Sequence, residues 1–311
     1  MVQTPRKRNK RKKFVSYLAN HWELYLFVLP ALLYILMYRY YPMYGVQIAF
    51  KDFRIGKGIA GSQWVGLKHF VKFLANPASK DLIINTLRLS LYGDIVGFPM
   101  AILFALALNE LPFKRFKSVT QTISYAPHFI STVVICSMIT MFLRKDGGLV
   151  NNIIGFFGIG PFDFLSKAEW FPSIYVWTNV WQGLGWSTII YMSALAGIDQ
   201  EIHEAAMIDG ASRLQRIRHI NLPGIMPTIC ILLILNMGGV MSVGFEKAFL
   251  LQNDLNTATS EIISTFTYKM GMKSRQYSYS SAIGLFNSVI NMMLLLLTNA
   301  VTRKLNSTSL F

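Results

Sequence analysis

Six apolar stretches of about 20 residues or more constrain what this 311-residue chain can fold into. A helix of about 20 residues crosses the hydrocarbon core of a bilayer, which is roughly 30 Å thick. Lipid offers no hydrogen bonds to the backbone, so such stretches must form helices. The predicted spans are 24–44, 83–108, 119–143, 171–196, 225–245 and 281–301. The sequence therefore predicts an all-α integral membrane protein with six transmembrane helices.

The charge content supports this interpretation. Only 14% of the residues are charged and 53% are hydrophobic, whereas soluble domains carry about a quarter charged residues. This balance excludes a disordered chain and argues against a soluble enzyme. Both cysteines, Cys136 and Cys230, lie inside apolar stretches, so no disulfide framework is expected.

The N-terminus is strongly basic, with seven Lys or Arg residues among the first thirteen. Positive residues beside the first span favour the cytoplasmic side, so we expect the N-terminus there. Six spans return the chain to that side, which makes the C-terminus cytoplasmic as well. The expected division is a basic cytoplasmic N-terminus (1–23), a six-span membrane domain (24–302) and a cytoplasmic tail (303–311).

The predicted cytoplasmic loop at 197–224 is long and has a helix-forming composition. Gly210 supplies a break after a first short helix, because glycine tolerates the left-handed conformation that closes a helix. A second helix, from 211 to about 221, is expected to end at Pro223. Its apolar edge consists of Leu214, Ile217 and Leu222. An apolar edge without lipid to cover it favours docking into a groove of another protein.

Ten residues of this loop resemble the EAA motif of the permease subunits of ATP-binding-cassette (ABC) importers. They are Glu204, Ala205, Ala206, Asp209, Gly210, Ala211, Ile217, Ile220, Leu222 and Pro223. The resemblance implies the type I importer fold, in the maltose and glycerol-phosphate branch. It also implies that the loop is the coupling helix, which docks into a cleft of a cytoplasmic ATPase subunit. Ile217 departs from the family pattern, since many members carry an aromatic residue there.

The segments 27–53 and 64–70 further resemble permeases that take up complex oligosaccharides. The implied function is transport of a sugar, and of an oligosaccharide in particular, across the cytoplasmic membrane of a prokaryote. The implied partners are a second, homologous permease in a heterodimer, two ATP-binding subunits and an extracellular solute-binding protein. ATP and Mg²⁺ are expected on the ATP-binding subunits, because this chain has no GxxxxGK[ST] motif. We therefore expect no catalytic residue, metal or cofactor in this chain, and no nucleic-acid partner.

The pathway for a sugar should combine aromatic rings with amide or carboxylate groups, which stack on sugar rings and bind their hydroxyls. The last three spans offer such side chains, and the candidate set is Trp181, Tyr191, Asn236, Glu246 and Asn287. Asp94 lies within the second span, where an ionisable residue indicates either a pathway or a buried ion pair. Both interpretations of Asp94 stay open at this point, with pairing favoured.

Two functions of other classes compete with the importer. An ATPase-independent secondary carrier or channel for a small polar solute would need no partner subunits, but it leaves the loop at 197–224 unexplained. A membrane-anchored nucleic-acid binder would depend on the basic N-terminus. The GxGxxG letters at 56–61 do not follow a strand, so they do not indicate a dinucleotide site.

Overall fold

The computed structural model describes Tyr17 and residues 20–306. The basic cluster predicted to set the orientation lies outside the described residues, as does the end of the predicted tail from 307 onwards. The chain forms two compact units, residues 1–66 and residues 67–311.

The first unit contains one long helical run and a small β-ladder. Helix α1 (Trp22–Ile35) continues through a π-helical turn and further helical turns to Phe50. The run Trp22–Phe50 is 29 residues long and contains the first predicted span. Its π-turn, Leu36–Tyr40, ends two positions before Pro42. Proline removes one helical hydrogen bond, and a widened turn accommodates that loss.

The β-ladder of the first unit follows this run. Strand β1 (Lys51–Asp52) pairs antiparallel with β2 (Gln63–Trp64), and Lys51 lies opposite Trp64. The ring of Phe50 stacks on Trp64 with 5.6 Å between the ring centroids. This short ladder closes the segment 53–62, which lies between the first and second predicted spans.

The second unit consists of helices joined by turns and loops, and its described residues include no strand. Its helices of seven or more residues are α2 (Lys68–Leu74), α3 (Pro77–Asn109), α4 (Lys114–Tyr125), α5 (Thr132–Phe142), α6 (Leu149–Gly155), α7 (Phe171–Ala196), α8 (Gln200–Ile208), α9 (Leu222–Met237), α10 (Phe245–Leu251) and α11 (Tyr277–Asn306). Single helical turns connect several of them, at Ala126–Phe129, Ala168–Trp170, Arg213–Arg216, Ile217–Asn221, Thr257–Ser260, Ile263–Tyr268 and Lys269–Lys273.

Length and composition identify the helices that can cross a membrane. Among the described residues, four helices are long and apolar enough by themselves, namely Trp22–Phe50, Pro77–Asn109, Arg213–Met237 and Tyr277–Lys304. The bent pair α4 and α5 makes a fifth. Helix α7 is long enough at 26 residues, but its Trp, Asn and Gln side chains make it less apolar. With α7, these helices account for the six predicted spans.

The third span differs in shape from the prediction of one helix over 119–143. Helices α4 and α5 meet at an angle of 99° through the turn Ala126–Phe129. Pro127 lies in this turn, where it cannot donate a helical hydrogen bond. Ser131 then caps α5 by accepting a hydrogen bond from the backbone N–H of Val134 at 3.4 Å. The prediction of a straight helix is therefore wrong.

The fifth span also differs from its predicted bounds of 225–245. The helix runs without interruption over Arg213–Met237, so the prediction that Pro223 ends a helix is wrong. A π-turn, Ile217–Asn221, widens the helix just before the proline and accommodates its missing N–H. The helix ends at Met237, before Gly238 and Gly239. Residues 238–244 lie outside the helix, so Glu246 belongs to the separate helix α10.

Helices α3 and α7 share the most extensive contact between described elements. Leu89 on α3 packs in one buried cluster with Val176 and Val180 on α7. Ala101 and Ala105 on α3 are buried in a second cluster that includes Tyr191 and Leu195 of α7. Small residues at such a contact let two helix backbones approach closely, which is how helices associate in lipid.

Helix α7 also approaches α4 closely at Gly185. A Cβ atom at this position would collide with the backbone carbonyl of Ser124. We therefore expect Gly185→Ala to destabilise the protein by about 1–3 kcal/mol, the usual cost of overpacking. The measurement is the thermal unfolding midpoint of the purified chain in detergent.

Gly183 on the same helix provides the matched control. A Cβ atom there meets nothing within 4 Å, so Gly183→Ala should leave the midpoint unchanged or raise it, because alanine favours helix. Equal midpoints for the two variants would show that the contact between α7 and α4 is not close.

Candidate functional site

A cavity of about 380 Å³ lies between α3, α7 and α9. Its polar lining consists of Asp94, Asn179, Ser187, Tyr191 and Asn236. Trp186 adds an aromatic wall, and one face of its ring stacks on His128 with 4.4 Å between centroids. Aromatic walls with a few polar groups are typical of binding sites for polar organic ligands.

A second cavity of about 300 Å³ adjoins the first. Both cavities are lined by Gly93, Asp94, Asn179 and Asn236, so these residues lie where the two meet. From there the second cavity extends to Ser242 and Gly244, beyond the end of α9. The two cavities together form a polar path along the α3–α7 pair.

Lys247 lies behind the wall of this path. Its side chain is buried, and its Nζ donates hydrogen bonds to Asn179 Oδ1 at 2.8 Å and to Gln182 Oε1 at 3.3 Å. An ammonium group has only donors, so the amide oxygens must face it. Lys247 thereby fixes the orientation of Asn179 in the cavity wall.

Sequence reasoning chose Glu246 and missed its neighbour Lys247. Glu246 is exposed on α10, whereas Lys247 is buried. The sequence carries only a weak signal for the position of Lys247. To predict it, one would have to know that the helix ends at Met237 and that α10 folds back against α7. Only the fold brings Lys247 to Asn179 and Gln182.

Two of the five predicted pathway residues line the path. Tyr191 and Asn236 do so, and the ring of Tyr191 also packs edge-on against Phe98 at 6.2 Å. Trp181 and Glu246 line neither cavity and are exposed. Trp181 follows Asn179 by two residues, which places the two on roughly opposite sides of a helix with 3.6 residues per turn.

Asn287, the fifth predicted residue, lies on α11 and lines neither cavity. One turn further along, Asn291 accepts a hydrogen bond from the backbone N–H of Met241 at 2.8 Å. It also donates to Ser242 Oγ at 2.8 Å. Asn291 therefore holds the segment after α9 in place, which is a packing role.

The predicted coupling loop is a short, capped helix followed by a tight reversal. Asp199 caps α8 by accepting a hydrogen bond from the N–H of Glu201 at 2.9 Å. Gly210 has φ +78°, the left-handed conformation that the sequence predicts. Ser212 and Gln215 then form a reciprocal capping box at the start of the next helix. Caps at both ends make this segment a rigid element.

Four apolar side chains of the loop are exposed, and we call them the coupling ridge. They are Ile202, Met207, Ile208 and Leu214. Ile208 is 86% exposed and Leu214 is 73% exposed. Exposed apolar side chains grouped in one short segment are typical of a surface that binds another protein.

The other apolar residues of the predicted edge point inward. Ile217 and Leu222 pack against the buried cluster that contains Ala101 and Tyr191. The prediction that they form one exposed edge with Leu214 is therefore wrong. The π-turn at Ile217–Asn221 and the uninterrupted helix after it turn these side chains toward the protein's own core.

The loop is anchored to the end of α3 by Glu110. Its carboxylate lies 3.7 Å from the Arg216 guanidinium and accepts a hydrogen bond from Asn221 Nδ2 at 3.3 Å. Asn221 is fully buried. A cleft of about 270 Å³ separates this anchor from His203 and Met207 of α8. These contacts join parts of the chain that are distant in sequence, so no local pattern predicts them.

Among the described residues, no group of three or more His, Cys, Asp or Glu side chains could hold a metal ion. The arrangement instead offers a polar path between helices and, at one end of the helix pair, an anchored loop with an exposed apolar ridge.

Replacing Glu110 tests whether this anchor rigidifies the loop. We expect Glu110→Ala to speed amide hydrogen exchange in Gln200–Ile208 several-fold, because Arg216 and the buried Asn221 both lose a partner. Glu110→Gln keeps an acceptor for Asn221 and should give an intermediate rate. Unchanged exchange in both variants would show that the loop does not depend on Glu110.

Comparison with known proteins identifies the family. Residues 97–307 match the family described as "Binding-protein-dependent transport system inner membrane component". The chain is 41% identical to the polygalacturonan/rhamnogalacturonan transport system permease protein YteP of Bacillus subtilis (strain 168), over 98% of this chain and 95% of YteP.

Solved structures agree with this match. A bacterial ABC transporter involved in the import of the acidic polysaccharide alginate superposes with a TM-score of 0.88 at 36% identity, covering 94% of this chain and 99% of that chain. The alginate transporter in complex with an alginate pentasaccharide-bound periplasmic protein gives a TM-score of 0.87 at 36% identity, covering 95% and 99%. Permease subunits of this family are not themselves catalytic. This chain therefore belongs to the binding-protein-dependent inner membrane components, the permease subunits of ABC importers with the type I fold.

Proposed function

We propose that this chain forms half of the membrane pathway through which an ABC importer takes up an oligosaccharide. The observation that carries the proposal is the polar path along α3 and α7, lined by Asp94, Asn179, Tyr191 and Asn236. Amide and carboxylate groups bind sugar hydroxyls, and Trp186 can contact the apolar face of a ring. YteP is named for the transport of polygalacturonan and rhamnogalacturonan, and the alginate transporter imports an acidic polysaccharide, so these relatives support a carbohydrate with several sugar rings as the cargo.

The pathway needs a second permease, because the cavities of this chain are open at the side. We infer a related but distinct partner chain, two ATP-binding subunits that hold ATP and Mg²⁺, and an extracellular solute-binding protein. The complex of the alginate transporter with its periplasmic protein supports the last of these partners. In this assembly, the chain itself binds no nucleotide.

The coupling ridge is the surface that we assign to the ATP-binding subunit. Glu204 and Ala205 are exposed on α8 beside the ridge, and Asp209 and Gly210 are exposed at its end. Ala206 and Ala211 are half-buried beneath them. Small side chains on one side of a short helix allow it to enter a cleft, and Glu204 supplies a charge for the rim of that cleft.

The remaining residues of the motif connect the loop to the core and do not form part of the docking surface. They are Ile217, Ile220, Leu222 and Pro223. Ile217 and Leu222 pack into the core next to α3 and α7, so displacement of the loop moves that core. The proposal places this loop and both termini in the cytoplasm, where the ATP-binding subunits lie.

The transport cycle then depends on the rigid connection between the coupling loop and the helices that line the cavity. ATP-driven closure of the two ATP-binding subunits brings the two coupling loops together. The anchor at Glu110 passes this displacement to α3, and the packed start of α9 passes it to the other wall of the cavity. The paired permeases switch from inward-facing to outward-facing access, and the solute-binding protein delivers sugar to the opened side.

The test is co-purification from detergent-solubilised native membranes, combined with ATP-driven sugar uptake in liposomes. Glu204→Lys should abolish retention of the ATP-binding subunits and reduce uptake at least about tenfold. The substitution reverses the charge at the docking rim, so the charge no longer complements the partner's surface. The second permease should stay bound, since Glu204 lies outside the helices that line the cavity.

Glu169→Lys is the matched control, because Glu169 is also exposed but lies in the turn Ala168–Trp170, before α7. It should retain all partners. If the native chain purifies alone and transports solute in liposomes without ATP, the importer proposal fails and an ATPase-independent carrier takes its place.

A further inference from the structure

Asp94 is the ionisable side chain of α3 that both cavities share. Its Oδ2 atom is buried and has no hydrogen-bond partner in the described part of the chain. A buried carboxylate oxygen without a partner is costly, and within a membrane-spanning helix it indicates a functional site. In the proposed function Asp94 is one of several polar groups that bind sugar hydroxyls, and selection between substrates is a further role.

The surroundings of Asp94 leave room for a ligand. Gly93 and Gly97, on either side of it on α3, contribute no side chains to the cavity lining. A Cβ atom at Gly93 would meet nothing within 4 Å. Ser90, one turn earlier on α3, lines the second cavity together with Asp94. The cavity wall beside Asp94 on α3 is therefore formed by small residues that leave space for a ligand.

The hydrogen bonds of the buried cation Lys247 go to amide oxygens of the cavity wall and not to Asp94. Lys247 directs its Nζ to Asn179 and Gln182, at 2.8 and 3.3 Å. Asp94 thus contributes a negative, acceptor-only group to the lining of the path.

We propose that Asp94 is a specificity-determining residue, which accepts hydrogen bonds from sugar hydroxyls and disfavours a carboxylate at that point of the path. The substrate class is an oligosaccharide with a neutral ring at the level of Asp94. An ionised carboxylate only accepts hydrogen bonds, and hydroxyls can donate them. The carboxylate of a uronic acid ring would instead lie beside a like charge in a medium of low dielectric constant, which is strongly unfavourable. This inference rests on the proposed function.

The test compares uptake of two labelled probes by the co-purified complex in proteoliposomes, namely a galactose trimer and a galacturonic acid trimer. Asp94→Asn keeps the size of the side chain and removes its charge. We expect the ratio of acidic to neutral uptake to rise at least about tenfold, because the like-charge repulsion is removed. The comparison of ratios cancels any preference of the solute-binding protein, which is the same in both samples.

Asp81→Asn is the matched control, since Asp81 is an exposed carboxylate at the start of the same helix and lines neither cavity. Its ratio should equal that of the native complex. An unchanged ratio in Asp94→Asn would overturn the inference. Loss of the second permease from the Asp94→Asn complex would overturn it too, because Asp94 would then be the partner of a cation on that subunit.

A second measurement tests the inference without any transport. If neither trimer is transported, that result counts against the proposed cargo, and the second measurement still tests the role of Asp94. Ser90→Cys places a thiol in the cavity beside Asp94. Anionic and cationic thiol reagents of equal size are compared in the presence and absence of Asp94→Asn. We expect the rate of thiol modification by the anionic reagent, divided by the rate for the cationic reagent, to rise at least about tenfold when the charge of Asp94 is removed. Equal relative rates in both backgrounds would show that Asp94 exerts no charge selection.

Discussion

The contact between α3 and α7 is the interaction on which the remaining structure depends. These two helices pack through buried apolar residues and small alanines, and the polar path lies along one side of the pair. The C-terminal end of α3 carries Glu110, and the C-terminal end of α7 leads directly into the coupling loop. One rigid pair therefore connects the cavity to the loop. In close-packed helices, displacement at one end cannot be absorbed locally and is transmitted along the helix.

Polar groups in this protein are concentrated where they have a structural or transport role. Lys247, Asn179 and Gln182 form one buried network behind the cavity wall. Asn291 holds the segment after α9 through Met241 and Ser242. In lipid, unpaired polar groups are costly, so side chains of this kind fix the arrangement of the helices around them. Asp94 differs from them because its buried Oδ2 has no hydrogen-bond partner in the described part of the chain, while the residue lines both cavities.

The sequence predicts those features of the fold that depend on local patterns. Hydropathy identifies the spans, and Gly210 identifies the reversal in the loop because a left-handed residue there favours glycine. The EAA residues identify the loop itself. Hydropathy does not reveal the 99° bend between α4 and α5. Nor does Pro223 reveal that a π-turn lets the helix continue through it, since proline ordinarily ends a helix.

The parts of the site that sequence reasoning missed depend on contacts between distant residues. Asn221 and Glu110 are 111 positions apart, and Lys247 and Asn179 are 68 apart. Tyr191 and Asn236 are predicted because aromatic and amide residues in these helices are typical of sugar pathways, and both line the path. Trp181 has the same chemistry but lies on the other side of α7. Composition selects the residue types, and only the rotation of each helix determines which of them face the path.

The central claim is that nucleotide binding on partner subunits changes access to the path in this chain. The most direct measurement is the alkylation rate of Asn236→Cys in the complete complex, because Asn236 lines both cavities and the native Cys136 and Cys230 are buried. A membrane-impermeant thiol reagent is applied from one side and then the other, without nucleotide and with ATP trapped. The account predicts faster reaction from the cytoplasmic side without nucleotide and from the external side with ATP. A rate that is the same in both nucleotide states, from both sides, would contradict it.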